Sequence, residues 1–130
     1  MSAASLRARY LGDTVTTVSP QRLLVMLYDR LALDLERAQE ALAAGNREEA
    51  SNQLRNAQEI VMVLRESLQV EAWEGGPRLA SLYAWLTSEL ILANVQGNVG
   101  KVADCRRIVE PLREAWHEAA ATLAAVASTA

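Results

Sequence analysis

Phenylalanine is absent from this 130-residue chain, and there are only three prolines and six glycines. So few turn-formers, with abundant alanine and leucine, favour helices and disfavour a β-sandwich. One cysteine, Cys105, excludes an internal disulfide and fits a reducing compartment. Thirteen basic residues against sixteen acidic ones leave a net charge of −3, and no basic run is longer than Arg106-Arg107. Nucleic-acid binding, which needs a basic patch to displace counterions from phosphate, is therefore not expected. Membrane insertion is not expected either, because the uncharged stretch from Leu90 to Gly100 falls far short of the ~20 residues of a span. The opening MSAASLRARY has no apolar core of a secretory leader, so the expectation is a soluble cytoplasmic chain.

Alanine and leucine are abundant, at 23 and 19 residues, and hydrophobic residues make up 51% of the chain, which favours a helical core over disorder. The length suits one domain. Residues 1–18 read as a short N-terminal helical arm (Ala3 to Asp13, with Leu6 and Tyr10 one turn apart) and a β-branched connector. Residues 19–127 read as a single domain of four helices.

The first helix is expected from Ser19-Pro20, where serine caps and proline loses nothing at the first position. Its stripe is Leu24, Leu27, Tyr28, Leu31, Leu35, Ala38 and Leu42, ending near Gly45-Asn46. The second runs from about Arg47 to Val70 on Ala50, Leu54, Ala57, Ile60, Val61, Leu64 and Leu68. Gly75-Gly76-Pro77 breaks the chain, and the third helix extends to about Gln96 on Leu79, Leu82, Tyr83, Leu86, Leu90 and Ala93. Gly97, Asn98 and Gly100 form the next turn. The fourth helix carries Val102, Cys105, Val109, Leu112, Trp116, Ala120 and Leu123, with a bend or break expected at Pro111 and fraying along the alanine-rich end. Short connections make neighbours antiparallel, so the predicted fold is all-α, an antiparallel up-down four-helix bundle.

Catalytic and cofactor motifs fail on inspection. Gly97 to Lys101 has two residues between its glycines where a phosphate loop needs four, and Val102 stands where Ser or Thr is required. Glu114 and His117 have the E-x-x-H spacing of di-iron bundles, but a second pair is impossible with one histidine. Cys105 lies on the apolar stripe with His117 three turns away, the setting of a small hydrophobe. No enzyme activity, metal or cofactor is expected.

The chain has more apolar residues than one stripe per helix can use. Leu23, Met26 and Leu33 fall off the first stripe, Met62, Val63 and Val70 off the second, and Trp85, Ile91, Leu92 and Val95 off the third. Either these are scattered surface residues, wide core stripes or cover for the arm, or they form a surface for a partner helix. The pattern alone leaves both open.

Blocks of residues then narrow the choice. Tyr10, TVSPQRLLVMLYDR, NAQEIVMVLRESL, GG followed by LASLYAWLTSELILAN, and a late tryptophan occur in this order between Tyr10 and Trp116. In this the chain resembles the flagellar export chaperone FliS family, most specifically at Ser19-Pro20, Leu23, Met26 to Asp29, Leu82-Tyr83 and Ala93-Asn94. It departs from the family at Gln21-Arg22, where acidic residues are favoured, and at Arg30, often glycine. The resemblance implies a non-enzymatic cytoplasmic chaperone. Its partner would be the disordered C-terminal segment of flagellin, kept from premature polymerisation and delivered to the flagellar export gate. Tyr10, Leu11, Leu23, Met26, Leu33, Met62, Val63, Trp85, Ile91, Leu92 and Val95 are the expected flagellin-binding residues. Tyr28, Tyr83 and Asn94 are expected to be structural. The alternative is a generic helical adaptor or homodimerisation module; a weak homodimer is compatible with either.

Overall fold

The computed structural model of the chain describes residues 19–72 and 74–129. Its elements are α1 Pro20–Ala43, α2 Arg47–Ser67, a 3-10 turn at Val70–Ala72, α3 Gly76–Gln96 and α4 Val99–Thr129, with no strand among the described residues. The expected arm and connector, residues 1–18, lie outside the described residues.

Each helix starts and stops where local chemistry dictates. The Ser19 hydroxyl accepts from the Arg22 N–H at 3.1 Å, with Pro20 opening α1. At the far end the N–H of Asn46 reaches the Ala41 carbonyl at 2.8 Å, and the Asn46 side chain accepts from the Glu49 N–H at 3.1 Å. One residue thus closes α1 and caps α2. Gly97 ends α3 in the left-handed region, at φ +60, which a side chain would strain. Asn98 then caps α4 by accepting from the Lys101 N–H at 3.2 Å. Gly100, expected in that turn, belongs to the first turn of α4.

Three expectations are corrected. α2 ends at Ser67, not Val70, because Leu68 goes extended and carries the chain across to α3 while its side chain stays on the core. The crossing is tight at Gly76, where a Cβ would stand 2.0 Å from the Val70 carbonyl oxygen. α4 is unbroken at Pro111, which is exposed, so the ring removes one ladder bond on the side away from the core. The alanine-rich end is helical through Thr129, as alanine's propensity favours.

α1 packs on α2 and α4, and α3 packs on the same two, so α1 and α3 stand diagonally across an antiparallel four-helix bundle. Leu31 and Leu35 of α1 meet Leu54 and Val61 of α2, Leu86 and Leu90 of α3, and Cys105 and Val109 of α4 in one core cluster. The two diagonal helices meet through a polar contact: the hydroxyls of Tyr28 and Tyr83, both fully buried, are 2.7 Å apart. Burial raises the pKa of both phenols above the ordinary value, so neither ionises near neutrality. Trp116 of α4 tilts its ring against Tyr28, with centroids 6.2 Å apart. Tyr28 and Tyr83, expected to be structural, thus lie in the core with their hydroxyls paired.

Asp29 joins α1 to α4 beside this centre, receiving Arg113 Nε at 2.7 Å and meeting His117 Nε2 at 2.6 Å. Lys101 joins α4 to Glu89 of α3 at 3.4 Å, and Arg106 donates to Gln39 of α1 at 2.9 Å. Arg47, opening α2, donates to the Asn94 and Val95 carbonyls at 3.3 and 3.4 Å and satisfies the end of α3. Asn94 is thus tied into the structure through its backbone.

Tyr28→Phe is expected to cost about 1–3 kcal/mol in urea unfolding followed by circular dichroism, because it strands the buried Tyr83 hydroxyl. Adding Tyr83→Phe is expected to restore part of that loss; costs that simply add would refute the pairing. Asp29 gives a pH-dependent prediction. Desolvation pushes its carboxyl up, but hydrogen bonds from His117 and Arg113 outweigh this and hold it below the ordinary value. A depressed pKa contributes stability that is present above the unfolded value of about 3.9 and is lost as pH falls through the folded value. Asp29→Asn should flatten the acid limb of stability against pH. With this carboxylate 40% exposed, the contribution is at most about 1 kcal/mol.

Candidate partner-binding surface

α3 is apolar nearly all the way round, and packing on α2 and α4 covers only part of it. Of its ten exposed positions, Arg78 alone carries a charge, whereas six of the nine exposed positions of α2 do. At about 100° per residue, Trp85, Leu92, Val95 and Ile91 span an outward arc of roughly 120°. They are exposed by 39%, 39%, 72% and 45%. Between them stand Ala84 and Ser88, too small to screen the apolar side chains from water. At the start of α3, Trp85, Leu79 and Leu82 form an apolar groove with Leu112 of α4, about 510 Å³ in volume.

The remaining expected binding residues do not join this arc. Met26 is half-buried in a groove between α1 and the end of α4, lined by Val25, Ala120, Leu123 and Ala124, with Arg22 and Asp29 at its edges. Leu23 lines another groove with Leu24, Leu27 and Leu64, between α1 and α2. Leu33 is half-buried on α1. Met62 is 47% exposed on α2. It lies about 22 Å along the bundle from the Arg47 end, at which Ile91 and Val95 sit. Tyr10 and Leu11 lie outside the described residues.

Val63 is a correction. It is 1% exposed and belongs to the core cluster, so it offers nothing to a partner. α2 is flanked by α1 and α3, and its buried arc widens to take in Ile60, Val63 and Leu64 together. Leu123 is the converse. Expected in the core stripe of the fourth helix, it is 51% exposed, because among the described residues it reaches only the first turn of α1, at the rim of the groove it shares with Arg22 and Met26. Val99 and Val126 are exposed as well. The uncharged run from Ala119 onward was the available signal for that surface.

The reactive groups are occupied elsewhere. Burial, reinforced by Glu89 and Asp104, pushes the Cys105 thiol up to about 12, so it stays protonated and inert. His117 turns to Asp29, and no cluster of three or more His, Cys, Asp or Glu residues is placed to hold a metal among the described residues. No described helix is long and apolar enough to cross a membrane.

Sequence comparison identifies the kind of bundle this is. The chain is 26% identical over 110 residues to the flagellar secretion chaperone FliS of Bacillus subtilis (strain 168), an alignment covering 85% of this chain and 82% of that protein. The family model described as flagellar protein FliS matches residues 2–123, nearly the whole chain. The chain belongs to the FliS family.

Proposed function

We propose that this protein is a flagellar export chaperone that binds the disordered C-terminal segment of flagellin in the cytoplasm, prevents its premature polymerisation and delivers it to the flagellar type III export apparatus. Its family membership and the relative's name as a secretion chaperone support the class. The observation that carries the finer reading is the uncharged outward arc of α3. A disordered segment that folds on binding loses conformational entropy and needs a large apolar surface to offset it. The arc supplies such a surface, and amphipathic helices dock on surfaces of this kind through residues at i, i+3, i+4 and i+7. The α1–α4 and α1–α2 grooves around Met26 and Leu23 lie on other sides of the bundle. That distribution suits an extended segment winding around the chaperone better than one globular partner. No catalytic step is involved; the chaperone acts by covering apolar residues that would otherwise drive assembly.

Calorimetric titration of the full chain with a peptide from the C-terminal end of the same organism's flagellin tests this. Tight binding with a negative heat-capacity change and gained helicity is the expected result. Leu92→Asp is expected to weaken binding at least tenfold, or about 1.4 kcal/mol, with an unchanged thermal melt because Leu92 is exposed. A folded chain that takes up no peptide overturns the proposal. So does a tight homodimer in sedimentation that buries Trp85 and Leu92, which is the outcome the adaptor reading requires.

A further inference from the structure

We infer that Arg78 is a specificity residue of the binding surface, selecting a helical segment that carries an Asp or Glu side chain one to two turns from a large aliphatic residue. The inference rests on the flagellin reading above and deepens it. Arg78 is exposed, lines the same groove as Leu82, Trp85 and Leu112, and is the sole charge among the exposed residues of α3. No carboxylate lies within 4 Å of its guanidinium among the described residues, although Glu74 and Glu71 are near in sequence. Six of the ten described arginines do make an ion pair or a side-chain hydrogen bond: Arg30, Arg47, Arg55, Arg106, Arg107 and Arg113.

The position is also locally unfavourable. Arg78 is the third residue of α3, where the helix dipole presents its positive end and disfavours a cation. Helix formation gains nothing from arginine there, and neither does any described ion pair. Its surroundings would strengthen an interaction with an incoming anion. When an aliphatic side chain fills the groove between Leu82, Trp85 and Leu112, water is displaced from beside the guanidinium, and the attraction to a carboxylate rises as the local dielectric falls. A guanidinium also offers two parallel N–H donors to a carboxylate, so the contact fixes orientation as well as adding attraction. On an otherwise uncharged arc, helical segments of equal hydrophobicity could slide from one register to another. One charge at one end of the groove distinguishes those registers.

Titration of the full chain with the flagellin C-terminal peptide, at two salt concentrations, tests this. Glutamate is favoured in the first turn of a helix, so Arg78→Glu leaves the fold intact. Arg78→Glu is expected to weaken binding about tenfold and Arg78→Gln about threefold, with a weaker dependence on salt than the wild type. Replacing the responsible acidic residue of the peptide by lysine should restore binding to Arg78→Glu. Wild-type affinity and salt dependence in Arg78→Glu overturn the inference. Sensitivity only to amidation of the peptide's C-terminus places the anion at the chain end and overturns the side-chain assignment. No binding by the wild type removes the flagellin reading and this one together. Binding that Trp85→Asp abolishes but Arg78→Glu leaves intact removes this one alone.

Discussion

In the middle of the bundle, two tyrosine hydroxyls from diagonally opposed helices share a 2.7 Å hydrogen bond. α3 depends on that bond more than the other helices do. A helix with a polar side and an apolar side has its rotation set by the hydrophobic effect, since turning it exposes apolar side chains and buries charge. α3 has apolar residues on nearly every side, so turning it exchanges one set for another at little cost. The Tyr83 hydroxyl removes that freedom: any other rotation leaves two buried hydroxyls without partners. Glu89 with Lys101, and the Arg47 guanidinium on the last carbonyls of α3, fix the same rotation from the flanks. Polar contacts therefore decide which apolar residues of α3 face the core and which face outward.

The sequence carried the bundle well because its helices are long and bounded by residues with clear local roles, Ser19-Pro20, Asn46 and Gly97. The core stripe followed from spacing alone at Leu31, Leu54, Leu86 and Val109. It failed where burial depends on what a helix faces. Val63 lies off a narrow stripe but is covered because α2 has two neighbours, and Leu123 lies on a stripe but is half bare because it meets only the first turn of α1. Periodicity measures angle around one helix and holds no information about the length or placement of the next. Asp34, fully buried with Arg30 at 2.9 Å, was unreadable for the same reason.

The outward surplus on α3 was legible as surplus, since Trp85, Ile91, Leu92 and Val95 could not all share a face with Leu86 and Leu90. What spacing could not supply was the division among separate places of the nine expected residues that the structure describes. The α3 arc, the groove at Met26 and the groove at Leu23 face different directions, and Met62 stands apart. A list of exposed hydrophobics reads as one patch only when helices are considered singly.

An exposed apolar arc invites self-association, and charge placement bears on how a chaperone of this shape would remain available. α2 carries its charges outward, while α3 keeps one charge outside and neutralises its other, Glu89, against Lys101. Two copies meeting through their α3 arcs in a two-fold arrangement would bring both Arg78 guanidiniums into the same largely apolar interface. Neither has a carboxylate on the facing arc to pair with, and desolvating an unpaired cation is costly. The same residue that costs a dimer can attract a segment bearing a carboxylate. A single arginine among otherwise uncharged exposed positions therefore discriminates between partners of equal hydrophobicity, which shape and apolar area alone could not do.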